Sequence, residues 1–195
     1  LPVLIFCLLI CSCSTKSEND EVLVKVNDNI IYKSQIDIVY EEFKNTSVTY
    51  DKIVDDSILE LLVVQESPKY GRSLSEDDLE HILHEFQELQ PDIYKESVEL
   101  YGLDNLKMKL KIRNLFTETK EYVLHNVIIK DNIIPHEVIE SFTKDNNLVE
   151  QFAPFTDEQI TNKLRKELEE YMFRKWMNNL RSSANIEYVN FDPHK

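Results

Sequence analysis

A mainly α fold with one small antiparallel sheet is what this sequence predicts, and three observations carry that expectation. Strand-like residues occur only near the two ends, at 21–26 with 30–32 and again at 186–191. Between them apolar residues recur at helical spacing behind N-capping signals at Ser34, Ser75 and Thr156. Only two glycines, Gly71 and Gly102, interrupt the 195 residues. A lone hairpin is marginal in water, so the C-terminal strand is expected to pair with the N-terminal hairpin.

Residues 21–26 are β-rich with partial alternation, Asn27, Asp28 and Asn29 form a turn cluster, and Ile30, Ile31 and Tyr32 restart the apolar run, which reads as a hairpin. Ser34 opens a Ser-Gln-Ile-Asp start, a capping box with Asp in place of Glu, and a helix is expected to about residue 44. A longer helix begins at Thr49 or Tyr50 and runs to about residue 69. Its apolar positions are Ile53, Val54, Ile58, Leu61 and Leu62, with Gln65 as a polar member of the same stripe and Gly71 as the stop. Ser75 to Asp78 repeat the capping signal before the stripe Leu79, Ile82, Leu83, Phe86 and Leu89, which ends before Pro91. Ile93, Tyr94, Val98 and Tyr101 mark a short helix stopped by Gly102. The next helix, 104–126, carries Met108, Ile112, Leu115, Phe116, Tyr122 and Val123. Pro135 starts a short helix to about residue 144. Residues 148–155 read as a connection. Thr156 to Gln159 are a full capping box for the last helix, 157–184, whose buried side is marked by Ile160, Leu164, Leu168, Tyr171, Trp176 and Leu180.

Residues 1–12 carry no charge and are nearly all apolar, yet fall short of the roughly 20 residues that a membrane-spanning helix needs. They read as the apolar region of a secretory signal without its basic start. Cys13 has an aliphatic residue three positions before it and Ser12 directly before it, which resembles the bacterial lipobox; Cys7 and Cys11 follow Phe6 and Ile10 and do not fit. The expected organisation is therefore a signal peptide at 1–12, a lipidated Cys13 opening a polar tether at 13–21, and one folded domain at 22–195. Cleavage before Cys13 would remove the other two cysteines, leaving neither free thiol nor disulfide. An extended tether of this length reaches at most about 30 Å, so the domain would work close to a membrane surface.

A net charge of −14 argues against a nucleic-acid partner, whose phosphates are bound by Lys and Arg. Two glycines are too few for a phosphate-cradling loop. His81 and His84 lie three apart, flanked by Asp77 and Glu88, a spacing able to hold a divalent cation; their face is opposite the apolar stripe, so a solvated face is expected and no metal or cofactor. Adjacent carboxylates such as Asp55/Asp56, Asp77/Asp78 and Glu169/Glu170 point in different directions on a helix and read as surface charge rather than acid–base machinery.

Four stretches in order resemble the SurA/PrsA-type periplasmic and extracellular foldases. Residues 24–37 look like the family's opening strand–turn–strand–helix, with Asp28 where a glycine is usual. Residues 69–78, Lys-Tyr-Gly-Arg-Ser-Leu-Ser-Glu-Asp-Asp, are similar to its helix break, and 101–110, Tyr-Gly-Leu-Asp-Asn-Leu-Lys-Met-Lys-Leu, to the start of its later helix. Residues 155–189 resemble its closing helix and strand. The match spans most of 22–191.

In that family the N-terminal helices and the C-terminal helix form a chaperone domain, and a parvulin-type isomerase of about a hundred residues is inserted between them. Here residues 148–155 leave no room for it, and 127–155 hold one histidine, His136. The resemblance therefore implies binding without catalysis: an ATP-independent, lipid-anchored holdase for unfolded exported or outer-membrane proteins at the bacterial cell envelope. The alternative from another class is an adaptor for one folded envelope partner, such as a catalytic foldase. Flexible Met and amphipathic aromatic side chains suit varied clients, so Phe43, Met108, Phe116, Tyr122, Met172 and Phe173 are the client-binding candidates. A stripe at helical spacing is more often core than surface, so most of these six are expected to be buried. Trp176, beside Phe173 and Met177, is expected to pack the last helix onto the body.

Overall fold

The structure, a computed structural model, describes residues 20–129 and 133–192, and the lipidation candidate Cys13 lies outside them. The chain is mainly helical with one small antiparallel sheet. Strands β1 (Val22–Val26) and β2 (Asn29–Tyr32) form the hairpin, turning through Asn27 at φ 53°, a left-handed conformation that asparagine tolerates. Strand β3 (Ile186–Tyr188) pairs antiparallel with the other edge of β1, giving the order β2-β1-β3. A bulge between Val22 and Val24 explains the imperfect alternation of β1: with one extra residue in the strand, the consecutive Leu23 and Val24 are both buried.

Helix α1 (Lys33–Phe43) starts one residue before its expected cap. The Gln35 side chain accepts the Tyr32 N–H at 3.0 Å, while Ser34 donates to the Asp20 carboxylate, so Ser34 is not the cap. Asp20 and Glu21, read as the end of the tether, are thus already bound to the folded domain, Glu21 by accepting the Lys33 N–H at 2.8 Å. Helix α2 (Tyr50–Glu66) is capped by Thr49 and runs into a 3-10 turn at Ser67–Tyr70, closed by Gly71 at φ 67°. Gln65 pins the hairpin turn to α2, since its amide donates to the Val26 carbonyl at 3.1 Å and accepts from Asn27 at 2.6 Å.

Helices α3 (Glu76–Leu89), α4 (Pro91–Tyr101) and α5 (Leu103–Val123) follow; α5 ends in a π-type turn at Leu124–Ile128 rather than continuing as an α-helix to residue 126. Helix α6 (His136–Asp145) begins after Pro135. The expected connection at 148–155 contains a four-residue helix, α7 (Val149–Phe152), whose Phe152 is buried. Helix α8 (Asp157–Ser183) has the expected Thr156/Gln159 capping box and bends at Leu164, where φ is −121°.

Three apolar clusters result. One joins the hairpin, α1, one face of α2 and the β3 segment. The second joins the end of α5 with α6, α7 and α8 around Leu168, Met172 and Phe173, and it takes Val63 from the opposite face of α2. Helix α2 therefore stands between the two larger cores. Trp176 packs on Tyr70 with ring centroids 6.5 Å apart, tying α8 to the body as expected. The third cluster is a thin layer between α3, α4 and α5. No described helix is long and apolar enough to cross a membrane.

Candidate functional site

The α3–α4–α5 layer is set by two sharp breaks. Ser75 and Asp78 cap each other at the start of α3, each backbone N–H meeting the other's side chain at 3.1 Å. Gln90 ends α3, and Pro91, which needs no backbone donor, opens α4 at once. Gly102 sits at φ 72° and ψ 157°, a region open essentially to glycine alone, and reverses the chain into α5. Tyr94, Val98 and Tyr101, at i, i+4 and i+7, turn inward against Leu83, Phe86 and Leu106; the Phe86 and Tyr94 rings meet edge-on at 5.8 Å. Only three residues are fully buried in this cluster, against twelve around Phe173, so much of the layer's apolar surface stays in water.

That surface lies along α4. Leu89 is 78% exposed at the end of α3, Ile93 53% and Leu100 47% on α4, and Leu103 42% at the start of α5. Ile93 and Leu100 are two turns apart on one side of the helix, next to the inward face. On the following strip Asp92, Glu96 and Glu99 repeat the i, i+4, i+7 spacing, and none of the three makes an ion pair or side-chain hydrogen bond among the described residues. Residues 76–104 hold ten carboxylates against Lys95 alone, a net −9 within a chain of net −14. On α3 part of this charge is paired by lysines of α5, Lys107 with Glu80 and Lys111 with Glu76 at 3.4 Å, while His81 and His84 lie 3.4 Å and 3.6 Å from Glu85 and Glu88 of their own helix. The apolar strip of α4 therefore runs between its own core and a row of free carboxylates.

A polar latch holds the layer to α1. Tyr101 donates to the Glu42 carboxylate, and Lys109 reaches both Glu42 at 3.0 Å and the Tyr101 oxygen at 2.6 Å. Burial, then the Glu42 carboxylate, pushes the Tyr101 hydroxyl well above its ordinary value, so it stays a donor. Burial works against the Glu42 charge, but the hydrogen bonds from Tyr101 and Lys109 prevail and hold its carboxyl below the ordinary range.

The residues proposed from sequence do not form one exposed surface: three of them, Phe116, Met172 and Phe173, meet in the C-terminal core. Phe43 is 37% exposed at the end of α1. Met108 is half-buried on α5. Phe116 is half-buried with its ring edge-on to Phe173 at 5.8 Å, and Tyr122 packs on Tyr70 at 5.7 Å under the Arg72 guanidinium. Met172 and Phe173, 7% and 1% exposed, are core, which corrects their reading as client contacts: with Leu168 of the same helix they pack in one cluster with Val63 and Val123. Leu89, placed from sequence in the buried stripe of α3, is instead the most exposed large apolar residue described, because it follows the last residue that α4 and α5 cover. The missed residues are Ile93, Leu100 and Leu103. Their signal was present in the phase of α4, where Tyr94, Val98 and Tyr101 already fill one face and leave Ile93 and Leu100 off it.

His81 and His84 are exposed and paired only with glutamates of their own helix, and among the described residues no group of three or more His, Cys, Asp or Glu is placed to hold a metal ion. Comparison of the sequence with protein-family models and with curated proteins gives no match.

Proposed function

We propose that this chain is a lipid-anchored, ATP-independent chaperone module of the SurA/PrsA type, without prolyl-isomerase activity, that holds unfolded exported polypeptides near a membrane surface. The observation that carries the reading is the uncovered strip of α4 with Leu89 and Leu103 at its ends. Holding an unfolded chain calls for apolar surface that does not demand one sequence, and a shallow exposed strip meets that need better than an enclosed pocket. The pairing of β3 with β1 and the short bridge at 148–155 support one continuous binding module in which an isomerase has no place. Contacts of this kind are individually weak, so clients leave without nucleotide hydrolysis.

The test is light scattering of several unrelated, chemically unfolded proteins diluted into buffer with the purified protein. Slower aggregation of all of them at near-stoichiometric ratio is the expected result, and no effect at excess overturns the reading. One folded partner recovered at fixed stoichiometry, with no effect on aggregation, would make the chain an adaptor instead. Acceleration of prolyl isomerisation in a peptide assay would overturn the non-catalytic part. For the anchor, Cys13→Ser is expected to move the protein from the membrane to the soluble fraction, and unchanged membrane retention would overturn it.

A further inference from the structure

We infer that the α4 strip selects its occupants by charge: it docks cationic, amphipathic polypeptide segments, with apolar side chains on Ile93 and Leu100 and Lys or Arg beside Asp92, Glu96 and Glu99. The inference rests on the chaperone reading and names the kind of segment held. Around α4 the order of faces is fixed by helical spacing: the inward face at Tyr94, Val98 and Tyr101, then Ile93 with Leu100, then the three carboxylates. Ile93 and Leu100 are about 10 Å apart along the axis. An amphipathic segment with apolar residues two turns apart and basic residues on the adjoining strip matches both rows at once.

The three carboxylates are exposed and unpaired within the described fold, which leaves them open to a partner. Elsewhere on this lobe lysines of α5 satisfy carboxylates of α3, whereas Asp92, Glu96 and Glu99 make no ion pair among the described residues, although Lys95, the one base on α4, stands three residues from Asp92 and four from Glu99. Asp92, in the first turn, suits the positive end of the helix dipole, but like charges at i, i+3 and i, i+4 spacing repel, so the row as a whole costs an isolated helix a little. A basic ligand relieves that repulsion as it binds. The surrounding net −9 raises the rate of encounter with cations and repels acidic segments.

The experiment is fluorescence anisotropy with three synthetic peptides of one apolar pattern whose polar positions are Lys, Gln or Glu, titrated with the wild-type protein, with Asp92→Asn/Glu96→Gln/Glu99→Gln and with Ile93→Ser/Leu100→Ser. All five substitutions are at exposed positions, and circular dichroism checks that both variants fold. The expected result is tightest binding of the Lys peptide, a loss of about tenfold in the carboxylate variant, and a weaker dependence on salt in that variant. The Ile93/Leu100 variant is expected to lose binding of the Lys and Gln peptides alike. Equal affinity of wild type and carboxylate variant for the Lys peptide overturns the inference. The aggregation assay run on the same variants separates this from the broader reading. Undiminished holdase activity in the carboxylate variant, with no peptide preference, removes the charge selection and leaves the chaperone. Absent holdase activity with intact selection of the Lys peptide removes the chaperone and leaves the docking surface.

Discussion

Phe173 and Phe43 show how far two residues of one type, both offered by the sequence as binding contacts, diverge once packed. Phe173 is 1% exposed and is touched by Phe116, Trp176 and the Lys120 ammonium, so its truncation opens a cavity. Phe173→Ala is expected to lower stability by about 3–5 kcal/mol in urea unfolding. Phe43→Ser, at an exposed helix end, is expected to change it by less than about 0.5 kcal/mol. A second residue-scale expectation concerns pH. His136 Nδ1 lies 2.8 Å from an Asp157 oxygen, joining the first turns of α6 and α8, with Glu137 and Glu140 adding negative charge. The hydrogen bond to Asp157, and then its charge, raise the imidazole above its ordinary value of 6.5. Because the folded value is the higher one, the contribution to stability is fully present below pH about 6.5 and fades as pH rises through the raised value. Both side chains are exposed, so the effect on stability is small and the titration is the sensitive readout. An NMR titration should place His136 above its ordinary value in the wild type and lower in Asp157→Asn; identical curves would remove the pair.

At the scale of the element, Gly102 defines how α4 meets α5. A methyl group there meets nothing within 4 Å, so the cost of Gly102→Ala is purely that of its φ of 72° with ψ of 157°. The expected loss is about 1–3 kcal/mol, read as a lower urea midpoint with an unchanged slope. Elements were legible in the sequence where their causes are local. The capping boxes at Ser75 and Thr156 involve residues three apart, and both formed as read. The cap of α1 did not, because Asp20, fourteen residues upstream, engages Ser34 and leaves Gln35 to satisfy the turn. Helix α7 is too short to show a period, and the burial of Phe152 comes from packing against the C-terminal core. The α4 strip was not read from the sequence: the six aromatic and Met candidates lie elsewhere, because which face each helix presents is decided by neighbours distant in sequence. For α4 the face follows from Phe86 and Leu106, which come from two other helices.

Over the whole molecule, β3 and its flanks bind the two ends of the described chain together. Asn27 donates its N–H to the Asn185 carbonyl at 2.8 Å and accepts the Asn185 N–H on its side chain at 3.0 Å. Val189 donates to the Leu23 carbonyl at 2.9 Å, and Arg181 bridges Asp55 at 2.8 Å and the Tyr188 oxygen at 3.0 Å. Lys25 and Glu187, directly opposite on β1 and β3, are paired but exposed and contribute little by comparison. Removing residues 185–195 is expected to cost about 3–5 kcal/mol, from the lost burial of Ile186 and Tyr188 and the unmade hydrogen bonds. An unchanged melting temperature would show that the sheet stands without β3.

The strand order also sets a timetable. β1 is the central strand, yet one of its two partners is the last element described, 162 residues away at the Lys25–Glu187 pair. A ribosome delivers β1 and β2 early and β3 only after the described helices, so throughout synthesis one edge of β1 remains open for pairing. Closing it spans nearly the whole chain, the kind of distant contact that slows folding. The emerging protein thus carries an unpaired strand edge of its own until its C-terminal segment arrives.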